Sequence, residues 1–102
     1  MEQKEILILY LINSDPGIRS IYGLIKHFDR AKFPAEIGKS IDELLERDLV
    51  IATKNFDNGT AAEYGITDKG MEYLKKEFKK EEILRYIQTF DKPDILYAYV
   101  NH

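Results

Sequence analysis

This chain offers little material for catalytic chemistry. It has no cysteine, which excludes thiolate nucleophiles, disulfides and thiolate zinc sites. Its two histidines, His27 and His102, stand far apart, with no carboxylates at metal-ligand spacing. It also has no glycine-rich phosphate loop, serine nucleophile motif or catalytic carboxylate pair. We therefore predict that the chain is not an enzyme and has neither a cofactor nor a metal site.

Cationic side chains are the remaining functional candidates, because lysine and arginine can contact phosphate groups. The candidates are Arg19, Lys26, Arg30, Lys32, Lys39 and Lys54. The chain as a whole is acidic, with 15 basic and 18 acidic side chains and a formal net charge of -3. Nucleic-acid binding therefore requires the cations to gather on one face, since phosphate repels a surplus of acids. The alternative for each cation is an ordinary solvated charge.

The composition is that of one globular domain. A length of 102 residues with 44% apolar and 32% charged residues allows a single buried core. The longest apolar run, Ile6 to Ile12, is far shorter than the ~20 residues that a membrane-spanning helix needs. Acidic Glu2 and Glu5 precede this run, where a signal peptide would carry positive charge. We therefore predict a cytoplasmic protein with no membrane contact.

Helices are predicted in the first half of the chain. The segment from Lys4 to Asn13 is apolar on nearly every side, so its helix must be covered on two sides, by a second layer or by a partner subunit. A turn is predicted from Ser14 to Gly17. Ser20 is predicted to cap the second helix, and Pro34 to lie in the first turn of the third. The predicted buried stripe of the third helix consists of Ile37, Ile41, Leu44 and Leu45.

A β-hairpin is predicted next. Branched residues from Leu49 to Phe56 indicate a strand, and Asn58-Gly59 indicates the hairpin turn before a return strand. Thr67 is predicted to cap a fourth helix. The helical pattern then continues from Lys80 to Phe90 on the opposite face, so the helix either breaks near Lys80 or serves two surfaces. The tail from Ile95 to Val100 is apolar and fits either helix or strand.

Two stretches of this order carry a resemblance to a known family. Ile37 to Val50 (IGKSIDELLERDLV) looks like a recognition helix and its exit into a wing, and Tyr64 to Leu74 (YGITDKGMEYL) looks like the return strand and a threonine-capped helix. From Ile18 to Phe78 the chain resembles the winged-helix DNA-binding regulators of the MarR and PadR type. The predicted fold class is α+β, mainly α with a small β-hairpin. A winged helix-turn-helix domain is expected in residues 1–80, with a C-terminal helical extension in residues 81–102.

The resemblance implies a transcriptional regulator whose third helix enters the major groove of double-stranded DNA, with the hairpin as its wing. The implied DNA-contacting residues are Ala35, Glu36, Gly38 and Lys39 at the bases, Arg19, Lys26, Arg30 and Lys32 at the phosphates, and Lys54 and Asn55 on the wing. The alternative is a protein-interaction module on the same fold, whose acidic third helix docks a basic protein partner. Asp48 stands where the family commonly has glycine, and a left-handed conformation there costs roughly 1 kcal/mol.

The C-terminal extension predicts a homodimer. The residues assigned to its interface are Ile83, Tyr86, Ile87, Phe90, Tyr97 and Tyr99. Two copies would supply the paired recognition helices that the half-sites of duplex DNA require. The alternative is that these residues fold back on their own domain.

Overall fold

The fold has the predicted class, α+β with a winged-helix-like architecture. The computed structural model describes residues 2–34 and 36–101. In these ranges the elements are α1 (Gln3–Asn13), α2 (Ile21–Arg30), α3 (Ile37–Glu46), β1 (Val50–Asn55), β2 (Ala61–Ile66), α4 (Asp68–Glu77), α5 (Lys80–Ile87) and α6 (Asp94–Val100). The helix-turn-helix unit is α2 and α3, the hairpin is β1 and β2, and the C-terminal extension is α5 and α6.

The core is centred on α1. Its aliphatic side chains are at most 5% exposed: Ile6, Leu7, Ile8, Leu9, Leu11 and Ile12. The neighbours of α1 are α3, β2, α4 and α5, so the chain itself supplies the cover that the apolar pattern demands. With 11 residues α1 is too short for a bilayer, and no other helix in the described ranges combines the length and apolarity that a membrane span needs.

One carboxylate is buried where α1 meets α3. Glu5 is 3% exposed, and the Ser40 hydroxyl of α3 donates a hydrogen bond of 2.7 Å to its Oε2. The backbone N–H of Glu2 donates to Glu5 Oε1 at 3.2 Å, and Lys4 Nζ lies 3.9 Å from Oε2. A buried carboxylate is tolerated only when such partners replace its water. The Glu5–Ser40 pair therefore ties the rotation of α3 to that of α1.

The sequence predictions for the starts of the two helices of this unit have different outcomes. Ser20 caps α2 as predicted, since its hydroxyl accepts a hydrogen bond of 2.9 Å from the Gly23 N–H. The prediction for Pro34 is wrong, because α3 begins at Ile37 and Pro34 lies in the connection before it. The physical reason is the preceding residue: the Phe33 ring stacks on Phe90 at 4.0 Å and fixes the connection to the C-terminal extension.

Both helices of this unit end in the same way. Lys32 follows α2 with a φ of 60°, and Asp48 follows α3 with a φ of 62°. The N–H groups of Lys32 and Phe33 donate to carbonyl oxygens of the last turn of α2, and Asp48 and its successor do the same for α3. This is the Schellman motif, which favours glycine at the left-handed position. The left-handed conformation expected at Asp48 is thus confirmed.

The β-hairpin predicted after α3 is present. β1 and β2 are antiparallel, with Val50 opposite Ile66 and a register shift at Lys54. Of the two turn residues only Gly59 has a positive φ, 88°, while the Asn58 side chain accepts a hydrogen bond of 3.0 Å from the Thr60 N–H. On its other edge β2 pairs with the segment before α2, which adds a short bridge to the sheet.

The C-terminal extension folds back on its own core. The residues assigned to the dimer interface therefore pack as the alternative expected, against their own domain. Ile83 and Ile87 are 0% exposed and Phe90 is 4% exposed. The other three residues assigned to the dimer, Tyr86, Tyr97 and Tyr99, are half-buried and pack against the same core. The helix breaks at Phe78 and Lys79, whose extended backbone lets α5 turn its apolar stripe inward. The tail from Ile95 to Val100 lies in a helix, α6.

Asp48 is a position where a single substitution is expected to stabilise the fold. Asp48→Gly should raise the free energy of unfolding by up to about 1 kcal/mol, because glycine adopts a left-handed φ without strain. Thermal unfolding followed by circular dichroism measures this as a rise of a few degrees in Tm. Asp48→Ala, which keeps a Cβ, is the matched control and should lower Tm. A lower Tm for Asp48→Gly would contradict the strain at this residue.

Tyr86 is expected to make stability fall in alkali. Burial raises the pKa of the Tyr86 hydroxyl above its ordinary value of 10.0, and the carboxylates of Glu5 and Glu2 raise it further. The folded chain therefore keeps this proton where the unfolded chain loses it, so the contribution is complete below about pH 10 and is lost as the pH rises above it. Urea titrations from about pH 8 to about pH 11 should show a shallower decline for Tyr86→Phe than for the wild type. Tyr22→Phe is the control, since Tyr22 is 72% exposed, and an equal decline in both variants would contradict the assignment.

Candidate nucleic-acid interface

The outward face of α3 is set by the residues that its inner face buries. Ile37, Ile41 and Leu44 are buried as predicted, and Ser40 is buried with them. The fourth predicted member of the stripe, Leu45, is 38% exposed, because Ser40 and its bond to Glu5 occupy the other flank of the stripe and rotate Leu45 outward. The side chains left exposed on α3 are Lys39, Asp42, Leu45 and Glu46, with Gly38 half-buried.

The first turn of α3 presents open backbone and one cation. Within the described residues no side chain caps the helix, and a Cβ at Gly38 would meet no heavy atom within 4 Å. Lys39 Nζ lies 3.2 Å from Glu36 Oε2, and these side chains are 82% and 73% exposed. An exposed pair of this kind contributes little to stability, so Lys39 can exchange Glu36 for another anion. The fourth residue predicted to contact bases, Ala35, lies outside the described residues.

A second group of cations surrounds the end of α2. Lys26 and Arg30 lie one turn apart on the exposed side of the helix, and Lys32 follows in its left-handed conformation. No carboxylate of the described ranges lies within ion-pair distance of these three side chains. The Lys92 N–H donates a hydrogen bond of 3.0 Å to the Ala31 carbonyl, so exposed Lys92 joins the same group. Sequence reasoning missed Lys92, because only the return of the C-terminal extension brings it to α2.

The remaining predicted contacts lie on the hairpin. The Arg19 carbonyl accepts a hydrogen bond of 2.8 Å from the Tyr64 N–H, so Arg19 sits beside β2 and not in the group at the end of α2. Arg19 and Lys54 line one cleft together with Glu63, whose carboxylate lies 3.5 Å from Lys54 Nζ. Asn55 is exposed at the end of β1. Two of the predicted cations, Lys54 on the hairpin and Arg19 beside it, therefore share one cleft with a carboxylate of the hairpin.

Acidic side chains gather on the C-terminal half of α3. They are Asp42, Glu43 and Glu46, and Asp48 follows just after the helix. Arg47, which caps the helix, is the one cation from Asp42 to Asp48, and its Nε lies 3.5 Å from Glu43 Oε1. The pKa of the Tyr64 hydroxyl is raised by its burial and then by the Asp42 carboxylate. Cations outnumber acids at the end of α2, where Lys26, Arg30 and Lys32 stand beside exposed Asp29, whereas acids predominate from Asp42 to Asp48.

Comparisons of the chain with protein-family models, with curated proteins and with solved structures found no match.

Proposed function

We propose that this chain binds double-stranded DNA as a small cytoplasmic transcriptional regulator. The observation that carries the proposal is the group at the end of α2, where Lys26, Arg30 and Lys32 are exposed without a salt-bridging carboxylate in the described ranges. They precede α3 by a short connection, so phosphates held there would lie close to the first turn of α3. A binding role, and no catalysis, accounts for this arrangement of cations on a winged helix.

The first turn of α3 is the part of the helix that suits the major groove. Open backbone at Gly38 allows DNA to approach closely. The free N–H groups of the first turn and the helix dipole favour an anion there. Lys39 would leave Glu36 for a phosphate or a base edge. The acids in the later turns require α3 to enter the groove by this end, since phosphates repel Asp42 and Glu46. The hairpin then brings Lys54 and Asn55 toward the backbone of the DNA.

The homodimer stays a prediction, but the interface assigned to it from the sequence needs revision. Ile83 and Ile87 are fully buried in one chain, so a dimer must bury a different surface. Large exposed apolar side chains available for that purpose are Tyr22, Ile25, Leu45, Ile51, Phe56 and Met71. Sedimentation equilibrium with and without duplex DNA measures whether two copies associate freely or only on the DNA.

A second candidate function is supported by the acids of α3. A helix that exposes Asp42 and Glu46, with Asp48 just beyond its end, can dock a basic protein surface by charge complementarity. In that case duplex DNA should not bind even at low salt, and Asp42→Asn should weaken the protein complex. The same titration therefore separates the two functions.

The cations at the end of α2 are expected to set the affinity for DNA. Fluorescence anisotropy with a labelled random duplex, from about 25 to about 200 mM NaCl, should show binding that weakens steeply with salt. Arg30→Ala should weaken binding several-fold and lower the slope of log affinity against log salt by about 0.9, because one phosphate contact is lost. Lys39→Ala should also weaken binding.

The matched control is Lys76→Ala, which removes an exposed lysine from the last turn of α4, a helix that supplies none of the proposed contacts. It should leave the affinity and the salt slope unchanged. Equal losses in Arg30→Ala and Lys76→Ala would refute the assigned surface, and no binding at the lowest salt would refute the function. Thermal melts check that each variant is folded.

Substitution of Gly38 is expected to raise the stability of the chain and to lower its affinity for DNA. Gly38→Ala should stabilise the chain by about 0.5–1 kcal/mol, since alanine is the better helix former and its Cβ meets open space. If the first turn of α3 lies against DNA, the same methyl group should weaken binding in the anisotropy assay. A higher Tm with unchanged affinity would show that DNA does not contact this turn.

A further inference from the structure

A cleft lies between the winged-helix part of the chain and the C-terminal extension. It has a volume of about 510 Å³, and its walls come from the turn after α1, from α2 and from α6. The lining residues are Asp15, Pro16, His27, Ile95, Ala98 and Tyr99. Sites for small molecules are typically a few hundred Å³ in volume and mostly apolar, with a few polar groups that orient the ligand. This cleft meets both conditions.

Two aromatic rings in the cleft are held in place by the fold. His27 Nδ1 lies 2.7 Å from the Gly23 carbonyl oxygen, so this nitrogen carries the donated proton. His27 Nε2 lies 3.4 Å from the Tyr99 hydroxyl, and the two rings meet edge to face with centroids 5.6 Å apart. The cleft thus has an imidazole ring and a phenol hydroxyl group in fixed positions before any ligand arrives.

The charge of the cleft comes from Asp15. Its side chain is exposed, and no cation of the described ranges lies within ion-pair distance of its carboxylate. The apolar surfaces of Pro16, Ile95 and Ala98 lie in the same cleft. An anionic ligand would be repelled by Asp15, whereas a protonated amine would gain a charge-assisted hydrogen bond.

We infer that this cleft binds a small aromatic amine. The ammonium group pairs with Asp15, the aromatic ring packs against Pro16 and Ile95, and His27 and Tyr99 close the end of the site. The inference does not depend on the proposed function, because none of its residues belongs to the proposed DNA surface.

Tryptamine is a suitable probe, with tryptophol and indole-3-propionate as neutral and anionic controls on the same ring. Titration followed by amide NMR spectra should shift the signals of His27, Ala98 and Tyr99 with saturation at millimolar tryptamine. Calorimetry should show tryptamine binding at least about tenfold more tightly than indole-3-propionate, a difference of about 1.4 kcal/mol.

Three variants test the site. Asp15→Asn should weaken tryptamine binding about threefold, as expected for the loss of one exposed charge pair. Ala98→Leu should abolish binding, because the larger side chain fills the cleft from an exposed position and leaves the core unchanged. Asp57→Asn, in the exposed hairpin turn, is the matched control and should bind as the wild type does.

The inference is overturned by any of three results in variants whose thermal melts match the wild type. These results are no saturable shift with millimolar tryptamine, shifts that avoid α2 and α6, and equal binding by Asp15→Asn or by the anionic control. DNA affinity, measured separately, stays outside this test, so failure of one proposal is distinguishable from failure of the other.

Discussion

The burial of α1 on all sides is the constraint on which the rest of the structure depends. Its aliphatic side chains leave water almost completely, and each contributes about 1.5–3 kcal/mol to folding when fully buried. Because α1 occupies the centre, α3 and β2 are both positioned against it, as are α4 and α5. The third helix and the hairpin therefore owe their relative placement to one shared helix. The Glu5–Ser40 hydrogen bond then selects the face that α3 turns outward.

The orientation of α3 decides how charge is distributed over the surface. The formal net charge of -3 argues against a nucleic-acid partner, yet net charge does not describe the local potential. Cations predominate at the end of α2, despite exposed Asp29, and acids predominate along the later turns of α3. The ion pairs of Lys39 and Lys54 lie at the boundary, where exposed partners exchange readily. The proposed DNA contact uses the positive side of this division.

Features governed by a few neighbouring residues could be predicted from the sequence. The caps at Ser20 and Thr67, the turn at Gly59 and the left-handed Asp48 are local, since a side chain or a φ angle there serves backbone groups only a few residues away. The prediction for Pro34 failed because a distant contact of its neighbour, Phe33, sets the connection. In the candidate site, the cations could be identified as residues, but their division into separate groups could not.

By itself the sequence determined the order of elements, the fold class and the need to cover an apolar α1, because hydrophobic periodicity and caps are written in short segments. Only the tertiary structure decided what provides that cover. On the sequence the stripe of α5 favoured a partner subunit over its own core, whereas in the structure the break at Phe78 lets this stripe pack inward. Contacts such as Lys92 with Ala31 join residues far apart in the chain, and no local pattern encodes a contact that exists only after the chain has folded back on itself.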